Sequence, residues 1–291
     1  MNVVLTGATG FTGSHLLAQL LARGIRPRCL VRPTSNTADL RRAGVQIVEG
    51  DLGDEASLAR AFEGANVLLN TASIGFGHGP GIVAAARRAG ITRAVFISTT
   101  AIFTTLNAKT KSVRMAAEEA IRNSGLQWTI VRPTMIYGTA RDRNMARLIR
   151  YLSRWPVMPV GGGGTHLLQP VHVEDVAGAV LLALEHDVSI GREYNIAGKA
   201  PLTFNQVIDT VAGQLGRRVR KLHLPVTPVA AGLALAERVG IRLPVKAEQI
   251  RRLNEDKAFD YSAAARDLGF SPMAFEEGIA RELEALGLRR K

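Results

Sequence analysis

Three glycines near the start of the chain have the spacing of a phosphate-binding turn. Gly7, Gly10 and Gly13 follow the apolar run Val3 to Leu5 and precede an apolar-periodic stretch, Ser14 to Arg23. A helix N-terminus after such a turn offers unpaired backbone N–H groups, and the helix dipole favours anions there. Gly7 permits the turn, Gly10 lets the backbone approach a pyrophosphate, and Gly13 lets the helix pack on the strand. The pattern predicts a dinucleotide site. The other residues of this site are Thr9, Phe11 and Thr12.

The end of the second predicted strand bears on which dinucleotide binds. NAD sites usually place an acidic residue there to accept hydrogen bonds from the ribose 2′-hydroxyl, whereas an arginine accommodates the 2′-phosphate of NADP. This chain has Val31 followed by Arg32. The sequence favours NADP, with NAD as the alternative if Arg32 is only a solvated loop charge. After the third predicted strand, Asp51 and Leu52 place a carboxylate where it can meet the adenine amino group.

The elements that must position these residues alternate strictly between short apolar runs and helical patterns. The predicted strands include 28–31 and 67–70, and the predicted helices include 55–62 and 113–124. Such alternation predicts right-handed βαβ crossovers and a parallel sheet covered on both faces. Beyond Arg132 the rhythm breaks into Pro- and Gly-rich loops, with a sheet-covering helix predicted at residues 173–185. We predict an α/β, Rossmann-type doubly wound parallel sheet with a smaller, interleaved C-terminal substrate domain. The predicted NAD(P)-binding domain takes 1–135 with 165–190 contributing, and the substrate domain takes 136–164 and 191–291.

Composition and charge limit the classes of function. The 291 residues are 46% hydrophobic and 21% charged, which is typical of a globular protein. The net charge of +12 would suit a nucleic acid, but the arginines are scattered and aromatic residues are few. We therefore expect a small-molecule partner and no nucleic acid.

Cysteine usage and apolar runs bear on the compartment. The single cysteine, Cys29, offers neither a disulfide nor a zinc site, so we expect no metal and a reducing compartment. The chain starts directly with a strand, and the apolar stretch 226–235, within a predicted peripheral helix at 226–239, is too short to span a bilayer. These features predict a cytoplasmic location and no membrane span.

Seven segments share the motifs of one enzyme superfamily. They are residues 6–13, 50–52, 96–100, 132–138, 169–177, 194–198 and 267–272. Over nearly its whole length the chain resembles the short-chain dehydrogenase/reductases in their extended or atypical form, whose relatives include nucleotide-sugar epimerases and dehydratases. The resemblance implies further cofactor contacts at the ends of later strands. These residues are Thr71, Ala72, Ser98, Pro133 and Thr134.

The resemblance also implies a catalytic constellation, in which a Ser or Thr precedes a Tyr that is followed four residues later by a Lys. The Tyr hydroxyl acts as general acid or base, while the Lys lowers its pKa and holds the nicotinamide ribose. Thr100 falls on the Ser/Thr position. The family also has a Glu four residues and an Arg-Pro pair eighteen residues beyond the Lys. Glu118 and Arg132 fit both spacings and place the Lys position at Arg114 and the Tyr position at Thr110.

The residues at these two positions change the expected chemistry. A threonine hydroxyl is a weak acid, and an arginine stays charged although it can still donate to a ribose. The alternative is a loop shift that brings Lys109 or Lys111 into the Lys position, which breaks the spacings to Glu118 and Arg132.

Two other residues are candidates for the missing acid or for substrate contact. Tyr137 follows the sixth predicted strand, and His78 lies in a glycine-rich segment, where an imidazole could transfer a proton. The alternatives are a packing role for Tyr137 and a plain loop role for His78. In relatives that handle nucleotide-sugars, an Asn and a glycine-rich loop grip the diphosphate, and Asn144 and Gln169 mark the matching segments here. The alternative is that these segments are a solvated basic turn and a flexible surface loop.

Two functional hypotheses follow. The first is an NAD(P)-dependent oxidoreductase or epimerase that acts on a sugar-like, nucleotide-linked or related carbonyl or hydroxyl substrate. The second is a catalytically silent NADP-binding sensor or assembly protein, which the replacement of the Tyr and Lys motivates. The sequence leaves the oligomeric state open, and a homodimer is compatible with it.

Overall fold

A computed structural model describes residues 1–105, 109–225 and 255–288 of the chain. The helix predicted at 226–239 lies outside these described residues. The chain forms two compact units. The first consists of Met1–Thr134, Val173–Ile196 and Asp260–Pro272, and the second of Met135–His172, Ala197–Phe259 and Met273–Lys291.

A seven-stranded parallel sheet forms the centre of the first unit. Numbered along the whole chain, its strands are β1 (Val3–Thr6), β2 (Arg28–Val31), β3 (Gln46–Glu49), β4 (Val67–Asn70), β5 (Arg93–Ile97), β6 (Gln127–Pro133) and β11 (Arg192–Ile196). Their order is β11-β6-β5-β4-β1-β2-β3. The strand order changes direction between β1 and β4, where open sheets of this kind bind ligands at the carboxyl ends of the strands. The predicted doubly wound parallel sheet is confirmed.

Helices cover the sheet of the first unit. They are α1 (Phe11–Ala22), α2 (Ala38–Arg42), α3 (Glu55–Phe62), α4 (Gly79–Arg88), α5 (Lys109–Arg122), α7 (Val173–Glu185) and α9 (Ser262–Leu268). Short 3-10 helices lie at Ile74–Phe76, Thr100–Phe103 and Asp187–Ser189. Helix α1 packs against α7, and α4 packs against both α3 and α5. Because helices cover the strands, side chains from both form an apolar core. This core includes Leu68, Phe62 and Phe96.

The second unit combines short strand pairs with three described helices. Its strands are β7 (Ile136–Tyr137), β8 (Val157–Gly161), β9 (Leu167–Leu168), β10 (Val171–His172), β12 (Leu202–Thr203) and β13 (Arg220–Leu224), and its helices are α6 (Met145–Arg154), α8 (Phe204–Gln214) and α10 (Phe275–Ala285). Strands β7 and β8 pair in parallel with β10 and β13, while β9 and β12 are antiparallel. The apolar faces of α6, α8 and α10 share one core.

The unit boundaries differ from the prediction in the C-terminal half. Strand β11 pairs with β6 as the edge strand of the large sheet, so it lies in the first unit although we predicted all of 191–291 for the second. Helix α9 also lies in the first unit, where the Tyr194 hydroxyl donates a hydrogen bond to Asp267. Strand pairing across a long sequence separation therefore sets this boundary.

Within the described residues, no helix is both long and apolar enough to cross a bilayer.

Candidate dinucleotide-binding and catalytic site

The glycine turn after β1 leaves no room for side chains. Gly7 has a φ of +74°, and a Cβ there would lie 2.7 Å from the Thr71 hydroxyl oxygen and 2.8 Å from the backbone nitrogen of Ala72. A Cβ at Gly13 would collide with the Gly7 carbonyl oxygen. The Gly10 N–H donates to this same carbonyl at 2.8 Å. The turn is thus held by backbone contacts that demand glycine.

The N-terminus of α1, directly after this turn, suits an anion. In the described structure Gly10 caps the helix without a side-chain hydrogen bond, and its first turn carries no acidic residue. Thr9, Phe11 and Thr12 are partly exposed around it. Thr71 donates its hydroxyl to the carbonyl of Thr6, so the end of β4 is fixed beside the turn. This arrangement fits a pyrophosphate, which would be held by the backbone N–H groups of the turn.

Two strand ends carry the residues predicted to hold the adenosine half. Arg32 and Asp51 are exposed directly after β2 and β3, and a backbone hydrogen bond from Gly50 to Val31 joins these two ends. Asp51 accepts the Gly53 N–H at 2.8 Å, which fixes its carboxylate. Leu52 packs on the apolar core, so it is an internal contact.

The His78 side chain lies close to Asp51, beside the loop that follows β3. A Cβ built on Gly53 would be 3.3 Å from Cε1 of His78, and it would be 3.2 Å from a carboxylate oxygen of Asp51. The sequence prediction placed His78 with the substrate. Its position beside the loop that follows β3 favours a role at the adenosine half instead.

The residues at the ends of β5 and β6 hold one another. The Ser98 hydroxyl donates to Glu118 at 2.6 Å, and the Thr100 hydroxyl donates to the carbonyl of Pro133 at 3.3 Å. The Thr134 N–H donates to Ile196 on the neighbouring strand. Ser98, Thr100 and Thr134 are all buried. Their hydrogen-bonding groups therefore stabilise the strand ends.

Glu118 and Arg132, the residues that set the predicted register, form a buried ion pair. Nε of Arg132 donates to Glu118 at 2.9 Å, and Arg132 also binds Glu193 of β11. Desolvation alone would lower the pKa of Arg132, but the hydrogen bonds and charge of Glu118 outweigh it and raise that pKa. Desolvation likewise opposes ionisation of Glu193, yet hydrogen bonds from Arg122 and Arg132 lower its pKa. The pair therefore locks α5 against the sheet.

Thr110 and Arg114 lie one turn apart on α5 and interact directly. Nη1 of Arg114 donates to the Thr110 hydroxyl oxygen at 2.6 Å. The same guanidinium covers Gly75, where a Cβ would lie 2.9 Å from Nε. Thr110 is exposed, so its hydroxyl can direct a proton outward. Lys111 donates instead to the carbonyl of Thr104 at 2.6 Å, away from this pair.

Two of the predicted substrate residues are internal to the second unit. Tyr137 is 1% exposed and packs between the rings of His172 and Phe275, with both centroids 5.4 Å away. Gln169 is also buried, where it donates to Gly198 at 2.7 Å and accepts the Phe259 N–H at 2.8 Å. Both side chains stabilise the unit. Their burial argues against the substrate contacts that the motif positions predicted.

Asn144, the third of these residues, is exposed just before α6. Asp142 accepts the backbone N–H groups of Asn144, Met145 and Ala146 at 2.6, 2.8 and 2.9 Å. A carboxylate therefore already occupies the N-terminus of α6, where a phosphate would otherwise bind. This capping weakens the case for a nucleotide-linked substrate at this segment.

Sequence reasoning missed a buried acid next to this cap. Glu282 on α10 is fully buried, and burial first, then the hydrogen bond and charge of Asp142, raise its pKa to about 10. Its position could have been found from helical periodicity. Glu282 follows Phe275, Gly278 and Ile279 at spacings of seven, four and three residues, which places it on the buried face of the helix.

Comparison with known proteins identifies the family of this chain. Residues 7–187 match the model of a family described as NAD(P)H-binding. The ceramide reductase of Caulobacter vibrioides is 32% identical over 247 residues, which cover 81% of this chain and 77% of that protein. The chain belongs to the NAD(P)H-binding short-chain dehydrogenase/reductases.

Two further similarities show how varied the proteins similar to this chain are. Subunit 9 of the NADH dehydrogenase [ubiquinone] 1 alpha subcomplex, a mitochondrial protein of Arabidopsis thaliana, is 27% identical and matches 90% of this chain and 70% of its own. The crystal structure of UDP-glucose 4-epimerase from Thermotoga maritima, with UDP-glucose, shares the fold with a TM-score of 0.77 at 19% identity, covering 99% of each chain.

Among the described residues, no group of three or more His, Cys, Asp or Glu side chains could hold a metal ion.

Proposed function

We propose that the chain is an NADP(H)-dependent carbonyl reductase in which Arg114 and Thr110 stand in for the usual Lys and Tyr. The observation that carries this proposal is the 2.6 Å hydrogen bond from Arg114 to the Thr110 hydroxyl oxygen. Because the oxygen accepts from a cation, the hydroxyl proton is left to donate elsewhere. When bound, NADPH would supply a hydride for the carbonyl carbon.

Each residue then has a defined task. The glycine turn would hold the pyrophosphate, and Arg114 would donate to the nicotinamide ribose from its place over Gly75. Thr110 would pass its proton to the carbonyl oxygen of the substrate as the C–H bond forms. Because Thr110 is exposed, it regains a proton from solvent.

The same pair favours reduction over epimerisation. Epimerases and dehydratases of this superfamily act on hydroxyl substrates, and oxidation of a hydroxyl needs a base to remove its proton. A neutral threonine hydroxyl is a poor base, and the neighbouring Arg114 does not accept protons. In reduction, by contrast, the oxygen becomes strongly basic and accepts a proton even from a weak acid. We therefore place this chain with the reductases of its family.

The choice of NADP over NAD rests on Arg32. It is exposed at the carboxyl end of β2, where the ribose 2′ position of a dinucleotide lies. A guanidinium there offers several N–H donors to a 2′-phosphate and no acceptor to a 2′-hydroxyl. Arg32→Ala is expected to raise the Kd for NADPH by more than about tenfold and to leave that for NADH nearly unchanged.

The experiment combines equilibrium binding with single-turnover kinetics. NADPH binding is titrated by fluorescence, and NADPH oxidation is followed by stopped flow against sugar-like, nucleotide-linked, lipid-like and simple ketones. The lipid-like ketones are included because one relative is named a ceramide reductase. Thr110→Val is expected to slow turnover by about 10²- to 10⁴-fold with an unchanged Kd. Arg114→Ala is expected to weaken NADPH binding as well.

A matched control exists on α2. Nε of Arg41 donates to the hydroxyl of Thr37, the N-cap residue of α2, at 3.2 Å, so this pair repeats the i, i+4 spacing of Thr110 and Arg114. Thr37→Val and Arg41→Ala are expected to leave binding and turnover at wild-type levels. Turnover that survives intact in Thr110→Val would overturn the assignment of the proton donor.

A second candidate function is a dinucleotide-binding protein without chemistry. Two observations favour it: the absence of a tyrosine at position 110, and the similarity to a mitochondrial NADH dehydrogenase subunit. It predicts NADPH binding with no turnover of any carbonyl in the panel. A turnover that depends on Thr110 excludes this candidate.

A further inference from the structure

His78 lies beside Asp51 although 27 positions separate the two residues in the sequence. A Cβ on Gly53 would lie 3.3 and 3.4 Å from two ring atoms of His78, which shows how closely the imidazole approaches the loop after β3. The ring is partly exposed, and Asp51 is exposed next to it. A flat aromatic group and a carboxylate therefore share one open corner of the first unit.

Helix packing explains this approach. Strand β4 is separated from β3 by β1 and β2 in the sheet. Helices α3 and α4 nevertheless pack together. His78 is the N-cap residue of α4, and within the described structure its side chain makes no capping hydrogen bond. The packing of two helices thus carries a side chain from the end of β4 to the end of β3.

The corner lies where the base of the dinucleotide must go. The pyrophosphate is assigned to the turn of Gly7 to Gly13, and the adenosine ribose to Arg32 at the end of β2. The base is attached to that same ribose, so it extends toward the neighbouring strand end, which carries Asp51. This assignment rests on the proposed NADP(H) function.

We propose that His78 covers one face of the adenine ring, next to the Asp51 carboxylate that the sequence already assigns to the adenine amino group. Histidine offers a flat π-surface, and every nucleobase has a π-face that can stack on such a side chain. His78 is then a determinant of dinucleotide affinity and has no part in proton transfer to the substrate.

The test measures binding of NADPH and of adenosine 2′,5′-bisphosphate, which carries the base, the ribose and the 2′-phosphate without the nicotinamide half. Isothermal titration and displacement of NADPH give both dissociation constants. His78→Ala is expected to raise both by a similar factor, about 5- to 150-fold. His78→Phe keeps a stacking surface and is expected to stay within about threefold of the wild type. Exposed His186, which contacts the carbonyl of Leu182 after α7, provides the matched control His186→Ala.

The outcomes separate this inference from the proposed function. If the wild type does not bind NADPH, both fail. If the wild type binds NADPH and His78→Ala binds the bisphosphate equally well, the adenine assignment fails while the proposed function stands. The assignment also fails if His78→Phe is as weak as His78→Ala, because stacking is then not the contact.

Discussion

Replacing Glu282 with glutamine is expected to stabilise the protein at neutral and alkaline pH. Glu282 is fully buried on α10 and faces Asp142, whose carboxylate already accepts three backbone N–H groups of α6. With both acids ionised, two buried carboxylates face each other, and neither can donate a hydrogen bond to the other. A proton on Glu282 resolves this, because the acid can then donate to Asp142.

The magnitude follows from the raised pKa. Burial first, and then Asp142, raise the pKa of Glu282 from 4.5 to about 10, although the amide of Gly138 and the charge of Arg150 oppose the shift. Stability from this group is fully present below pH 4.5 and is lost as the pH rises towards 10. Between these values the loss is about 1.4 kcal/mol per pH unit, or roughly 5 kcal/mol at pH 8 as an upper bound.

Glutamine keeps the shape of the protonated acid. Its amide nitrogen can donate to Asp142, and its oxygen can accept from Gly138, at every pH. The free energy of unfolding of Glu282→Gln, relative to wild type, is therefore expected to grow steadily between pH 5 and pH 9. Urea unfolding followed by tryptophan fluorescence at pH 5, 7 and 9 measures this difference.

The control is Glu276→Gln, an exposed glutamate on the same helix, which is expected to show no such trend. A Glu282→Gln advantage that stays constant or shrinks as the pH rises would refute the reasoning, because ionisation of Glu282 would then not oppose folding.

Three further predictions concern the first unit, with one control in the second. Gly13→Ala is expected to destabilise the protein by about 1–3 kcal/mol and to weaken NADPH binding, since its Cβ meets a backbone carbonyl. Gly213→Ala, whose Cβ meets nothing within 4 Å, should do neither in thermal melts and titrations. Burial raises the pKa of Cys29 to about 12, so its reaction with a thiol reagent should track unfolding, and rapid native labelling would contradict this. Glu118→Ala leaves Arg132 buried without its main partner and is expected to cost about 3–5 kcal/mol in urea unfolding. A loss below about 1 kcal/mol would show the pair to be dispensable.

The fold could be predicted largely from local patterns. The bounds predicted for β2, α3, β4 and α7 agree with Arg28–Val31, Glu55–Phe62, Val67–Asn70 and Val173–Glu185. The strands among them are largely apolar because both faces of a parallel sheet are covered. Helix α5 begins at Lys109, four residues before the predicted start, because its first turn is polar and carries no apolar periodicity.

The direction of side chains at the site could be predicted much less well. The motif position of Tyr137 after a strand is correct, but its ring turns into the core because α10, far away in sequence, packs against it. His78 joins the loop after β3 through the packing of two helices. Such contacts depend on tertiary neighbours that no short motif contains. The glycine turn differs because its requirement is local, a backbone without Cβ atoms.

Under the proposed function, binding and chemistry depend on different parts of this chain. Cofactor binding is assigned mainly to backbone groups of the turn at Gly7 to Gly13, whereas proton transfer is assigned to side chains on α5. Thr110, Arg114 and Glu118 follow one another at intervals of four residues, so they form one stripe along that helix. The stripe runs from exposed Thr110 to fully buried Glu118, whose ion pair with Arg132 fixes the rotation of the helix. Loss of that pair is expected to misdirect Thr110 even where the glycine turn still binds NADPH, so turnover should fall further than affinity in Glu118→Ala.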